Sequence, residues 1–223
     1  MILETYPDLD MLMMQLANRL AGDLKNCLLQ YPWASFSVPG GTTPGPIFDS
    51  LSAAALEWDR VHVFLNDERW VPETSERSNT RLLRERLMTS RAAEAKLIPL
   101  YADTPTPEEG IPNLTEQLEN ELPISVLLLG MGADMHTASI FPGADRLEEA
   151  LSPEAPLLVP MRAPGAPEPR VTLSARVLAG AMTTHVVITG AEKREALERA
   201  QSLPPSEAPI ASVLKNATVH WAE

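Results

Sequence analysis

Residues 124–130 read ISVLLLG, four consecutive aliphatic side chains closed by a glycine. An extended chain of that composition is apolar on both faces, the mark of a strand inside a parallel sheet covered by helices. The rest of the chain alternates in a compatible way. Leu9, Leu12, Met13, Leu16, Leu20, Leu24 and Leu28 recur at helical spacing, which predicts a helix over residues 8–30. WASFSV (33–38), VHVFLN (61–66), KLIPL (96–100), LLVPM (157–161), THVVITG (184–190) and TVHWA (218–222) read as further strands. SNTRLLRERLM (78–88, with a Ser or Asn cap), PEEGIPNLTEQLENEL (107–122) and AEKREALERAQ (191–201) read as helices. Strand and helix in alternation predict an α/β fold with a mostly parallel sheet.

The chain has 223 residues, suited to one domain over 1–223. Its prolines concentrate near 99–123, 153–169 and 204–209, segments expected to be surface loops within that domain. A net charge of −12 argues against nonspecific attraction to nucleic acid or an anionic membrane. An anionic ligand would need a local basic pocket working against that field. No apolar run approaches the ~18 residues of a membrane span, and the N-terminus has no leader pattern, so a cytoplasmic location is expected. Cys27 stands alone among leucines and reads as a packed thiol.

In a parallel α/β sheet, ligands bind beyond the carboxyl ends of the strands. Five segments there carry chemistry. SVPGGTTPGP offers Gly40 and Gly41 for a tight turn, Thr42 or Thr43 as a cap and Pro44 at the first helical position. It is either a plain capped turn or an anion site at a helix N-terminus. Asp67, Glu68 and Arg69 follow the strand 61–66 at once, as an exposed turn or as part of a site. GMGADMHTASIFPG places Asp134 and His136 on the turn after ISVLLLG. Met135 stands where a dinucleotide motif requires its third glycine, and no P-loop, zinc-ligand spacing or serine-hydrolase elbow occurs. A lone histidine is usually structural, but this one, beside Asp134 and before Thr-Ala-Ser, leans towards acid–base work. Lastly, Arg170 opens RVTLSARVL, and Lys193 lies in the first turn of the helix at 191–201. A cation there opposes the helix dipole unless an anion binds. His62, His185 and His220 lie in apolar strand segments and are expected to take no part in the chemistry.

PGGTTP, NDERWVP with Ser78-Asn79 beyond it, GMGADMHTASIFPG, RVTL and TGAEK, in this order from Pro39 to Lys193, resemble the 6-phosphogluconolactonase family. More broadly, they resemble the sugar-phosphate isomerase/deaminase superfamily. The resemblance implies a modified Rossmann-like, mostly parallel sheet covered by helices on both faces. It also implies hydrolysis of 6-phosphogluconolactone to 6-phosphogluconate without cofactor or metal. Carried over, His136 is the general base and Asp67 the acidic catalytic residue, with Arg69 binding substrate. Gly41, Thr42, Thr43, Arg170 and Lys193 form the phosphate pocket, with Asp134 and Asn79 in support. The implied partner is a small phosphosugar lactone, not nucleic acid or membrane, and the chain would be a monomer or weak homo-oligomer. The deaminase branch has Asp-Glu-Tyr for DER and His-Ile-Ala-Phe-Asn-Glu for HTASIFPG, so this chain sides with the lactonases. A non-catalytic sugar-phosphate sensor would usually carry a DNA-binding segment, and no basic helix is present. One residue departs from the family: Met135 stands where glycine is usual. If that position needs positive φ, a methionine carries roughly 1 kcal/mol or more of strain. Its side chain is expected to point away from an open site.

Overall fold

The computed structural model describes residues 1–223. In chain order its elements are β1 (Ile2–Thr5), α1 (Leu9–Leu28), β2 (Ala34–Val38), α2 (Gly45–Ser52), β3 (Val61–Leu65), β4 (Asp67–Arg69) and α3 (Asn79–Arg86). There follow β5 (Lys96–Leu97), α4 (Pro107–Leu118), β6 (Val126–Gly130), α5 (Leu147–Leu151), β7 (Leu158–Met161) and β8 (Arg170–Leu173). The chain closes with α6 (Ala175–Ala179), β9 (Thr183–Thr189), α7 (Ala191–Ala200), α8 (Ala211–Leu214) and β10 (Ala217–Ala222).

Seven strands form one parallel sheet in the order β1-β10-β9-β6-β2-β3-β5, flanked by helices. The both-faces-apolar run at 124–130 is its centre, with β6 between β9 and β2. Every residue of β2 is buried, as a strand covered on both faces must be. Helix α1 starts where Asp8 accepts a hydrogen bond from the Met11 amide at 2.8 Å, and it buries Leu12, Leu16, Leu20 and Leu24. Cys27 joins that apolar face as a packed thiol. The core is one connected apolar cluster, with Phe36, Phe48, Trp58 and Phe64 among its largest fully buried side chains. No helix is long and apolar enough to cross a membrane.

A second sheet of three antiparallel strands, β4-β8-β7, departs from the expected arrangement. LLVPM is a strand, but it belongs here and not to the parallel sheet. Asp67–Arg69, expected as a loop, is a strand paired with Thr172–Arg170, and RVTL is itself a strand. Asn66 joins the two sheets. Its amide donates to Val38 O, its side-chain NH₂ to Leu128 O, and its carbonyl accepts from the Leu173 amide. Ser37 Oγ donates to Asn66 Oδ1 at 2.6 Å, so this fully buried side chain is satisfied from two neighbouring strands.

Smaller differences concern element ends. Edge strand β1 was not legible in ILET. Helix α4 stops at Leu118, and residues 119–121 tighten into a 3₁₀ turn. Helix α2 starts at Gly45, which leaves Pro44 at the cap position and not inside the helix; neither Thr42 nor Thr43 caps it with a side chain. Ser78, not Asn79, caps α3.

Candidate active site

An open pocket lies where the carboxyl ends of β2, β6 and β9 meet the small antiparallel sheet. Its wall includes Gly41, Thr42 and Thr43 after β2, His136 after β6, Lys193 after β9, and Asp67, Arg69, Asn79 and Arg170. Nearly all of the residues singled out by sequence therefore meet in one place. Asp134 is not part of the wall but stands behind it, against His136.

The turn after β6 is held at many points. Gly132 N donates to His136 O, Met135 N to Gly132 O, Thr137 Oγ1 to Gly130 O, and Ile210 N to Met135 O. The turn also folds tightly against Gly132, where a Cβ would run into the His136 ring. His136 Nδ1 lies 2.5 Å from Asp134 Oδ1, which also accepts from the His136 amide. The His136 hydrogen bond holds the Asp134 carboxyl below the usual carboxylate range, burial opposing it. With Asp134 ionised, the single proton of a neutral imidazole sits on Nδ1, and Nε2 then keeps its lone pair. Met135 adopts φ +66° and Ala138 φ +49°, so His136 lies between two left-handed residues. The Met135 side chain packs against the core and does not line the pocket.

The small sheet supplies the other wall. Arg69 and Arg170 are register partners across β4 and β8, so their side chains share one face. Asp67, 5% exposed, is tied by its Oδ2 alone: Ser139 Oγ donates to it, and an Arg170 NH group lies 3.7 Å away. Burial pulls the Arg170 guanidinium below its ordinary range, and Asp67 draws it back up. The Nε atoms of Arg69 and Arg170 are buried without any hydrogen-bond partner. Arg69, Arg170 and Lys193 together make the pocket wall cationic and suited to an anion. Gly40 lies so close to the Asn79 side chain that a Cβ there would overlap it.

Three residues around the site were given no individual role by the sequence. Ser139 links the histidine turn to Asp67 and Arg170. The Phe141 ring lies 4.5 Å from the His136 ring, with the Arg170 guanidinium 5.5 Å above it. Glu68, fully buried, accepts hydrogen bonds from β4 and from the start of α3. The motif strings contain all three, but their contacts are made in space and leave no spacing signal. The remaining histidines pair elsewhere, His62 with Glu121, and His185 with Asp23 and His220. No three His, Cys, Asp or Glu side chains stand close enough together to hold a metal ion.

Residues 7–221 match the family model described as glucosamine-6-phosphate isomerases/6-phosphogluconolactonase. The chain belongs to this family. Within the glucosamine-6-phosphate isomerase/6-phosphogluconolactonase family, it is 42% identical over 198 residues to a 6-phosphogluconolactonase of Rhizobium meliloti (strain 1021), covering 85% of this chain and 84% of that one. A Mesorhizobium japonicum 6-phosphogluconolactonase is 40% identical over 225 residues, with 97% and 93% covered. Among solved structures, a 6-phosphogluconolactonase from Shewanella baltica OS155 superposes with a TM-score of 0.96 at 34% identity, covering 100% of this chain and 97% of that one. A monomeric glucosamine-6-phosphate deaminase superposes with a TM-score of 0.81 at 15% identity, a likeness of fold alone.

Proposed function

We propose that this family member hydrolyses 6-phospho-D-glucono-1,5-lactone to 6-phosphogluconate, the lactonase step of the pentose phosphate pathway. One observation carries the reading: a carboxylate-oriented imidazole shares a pocket with two arginines and a lysine. Relatives matching over most of the chain bear the name 6-phosphogluconolactonase, which supports this reaction over deamination.

A δ-lactone is an activated ester, so water activated by a neutral imidazole suffices to open it. His136 Nε2 takes a proton from water as the water oxygen bonds to the lactone carbonyl carbon. Collapse of the tetrahedral intermediate breaks the bond to the ring oxygen, and the imidazolium returns its proton to that oxygen. Asp134 holds the ring in the required tautomer and balances its transient charge. Asp67 Oδ1, free of protein donors, accepts a substrate hydroxyl, and Arg69 grips the substrate beside it. Arg170, Lys193 and the amides and hydroxyls of Gly41, Thr42 and Thr43 hold the phosphate away from the reacting carbon.

The direct test is proton release from 6-phosphogluconolactone, corrected for spontaneous opening. Acceleration by the purified protein is expected. A rate equal to the uncatalysed one would refute the reading.

A further inference from the structure

The strand Asp67–Arg69 presents alternate residues to opposite sides. Asp67 and Arg69 face the pocket, and Glu68 turns away from it into the protein. A carboxylate with no solvent exposure demands a reason, because an unsatisfied buried charge is among the costliest features a fold can carry. Here every donor is supplied. Glu68 Oε1 accepts from the amides of Arg69 and Asn79, each at 2.8 Å. Oε2 accepts from the Thr80 amide at 2.7 Å, Thr80 Oγ1 at 2.8 Å and Ser78 Oγ at 3.1 Å.

The two oxygens thus divide their work. Oε2 binds only the first turn of α3, a capping task. Oε1 binds the backbone of two residues whose side chains line the pocket. From Asn79 the connection runs further, because its side-chain NH₂ donates to Asp67 O and packs where a Cβ on Gly40 would otherwise sit. One buried carboxylate therefore sets the relative position of Arg69, Asn79, the Asp67 backbone and the glycine loop after β2.

We propose that Glu68 is a positioning residue of the substrate pocket, acting through its Oε1 on Arg69 and Asn79. Burial raises its carboxyl above the ordinary range, opposed by the hydrogen bonds of the Asn79, Thr80 and Arg69 amides and the Thr80 hydroxyl. Three of its partners are backbone N–H groups that can only donate. The proposal rests on the lactonase reading for its substrate, but the ligand-binding arm below does not need turnover.

Glu68→Gln keeps the shape and turns part of the acceptor into a donor facing N–H groups. Thr80→Val is the matched control. It removes a donor to Oε2 and leaves both Oε1 bonds, so a merely structural role predicts similar behaviour for the two variants. Steady-state kinetics with 6-phosphogluconolactone, calorimetric binding of 6-phosphogluconate and thermal midpoints are measured on each. Glu68→Gln should raise KM and weaken product binding at least ~10-fold, with a smaller change in kcat. Thr80→Val should lower the midpoint yet keep KM within about twofold. A folded Glu68→Gln protein with KM and product affinity near wild type would overturn the proposal. An equal rise of KM in Thr80→Val would overturn it too. If Glu68→Gln does not fold, Glu68→Asp, with its carboxylate withdrawn by one methylene, is read by the same criteria. A wild-type protein that binds 6-phosphogluconate without hydrolysing the lactone would sink the lactonase reading and leave this one to the binding arm.

Discussion

His136 directly follows Met135 and stands two residues before Ala138, both in left-handed backbone. The φ of +66° at Met135 carries roughly 1–2 kcal/mol of strain. Met135→Gly would release that strain, but it adds the unfolded-state entropy of glycine, about 0.5–1 kcal/mol, and gives up half-buried packing. Urea unfolding should therefore find the variant within about 1 kcal/mol of wild type. Met135→Ile, β-branched at the same φ, should be clearly less stable. A stable isoleucine variant would show that the turn relaxes to negative φ without cost. For the proposed base, His136→Ala or Asn should lose at least ~100-fold in kcat while 6-phosphogluconate still binds. Near-normal turnover by either would remove His136 from the mechanism. Arg170→Ala and Lys193→Ala should each raise KM sharply and narrow the preference for the phosphorylated lactone over plain gluconolactone. Unchanged preference in both would place the phosphate elsewhere.

At the scale of elements, the loop after β2 and the start of α3 are pressed together at Gly40 and Asn79. Asn79 is buried and tied to Asp67 O, so it has no room to retreat. Gly40→Ala should therefore cost about 1–3 kcal/mol as overpacking. The thermal midpoint should fall by several degrees and KM should rise with it. A midpoint unchanged within error would mean that the loop swings aside freely. The same elements explain what was legible in the sequence. β6 declares itself because burial on both faces leaves an unbroken apolar run; β9 keeps a shorter one at 186–188, and β2 alternates serine with apolar side chains. β4 does not declare itself, since three charged residues satisfy neither strand nor helix periodicity, and its partner β8 lies about a hundred residues on. LLVPM announces a strand, but periodicity cannot say which sheet it joins. The loops that reach the pocket were visible by their glycines and charges. Ser139, Phe141 and Glu68 act through contacts that no spacing records.

For the whole molecule, a buried histidine away from the pocket contributes to the loss of stability in acid. Tyr6, His220 and His185 form a buried chain that ends on Glu4 at one side and on Asp23 at the other. With both acids ionised, four hydrogen-bonded links share the three protons of neutral Tyr6, His220 and His185, and the half-exposed Glu4 end is where water can make up the deficit. Burial pulls His220 down to about 4, with the neighbouring His185 adding to the effect. A histidine whose folded pKa is depressed favours unfolding once the unfolded chain can take the proton. Stability should thus be complete above about pH 6.5 and decline as pH falls towards 4. His220→Gln should flatten that decline in unfolding curves taken across this range; an unaltered slope would assign it to other groups. Activity should survive exhaustive chelation, since no ligand set for a metal is assembled. Loss restored by zinc or magnesium would overturn the metal-free chemistry.

The register pairing of Arg69 with Arg170 also has a consequence in time. β4 and β8 close a loop of about a hundred residues, and they dock through Asn66, whose bonds reach Val38 of β2 and Leu128 of β6. They therefore need β2 and β6, themselves about ninety residues apart, to be paired first. Two guanidinium groups of like charge then have to be brought side by side, a step that nothing in the parallel sheet assists. During refolding from denaturant, far-ultraviolet dichroism should return first and the capacity to bind a phosphosugar later. A newly made chain would pass through a stage in which its framework stands and its pocket does not.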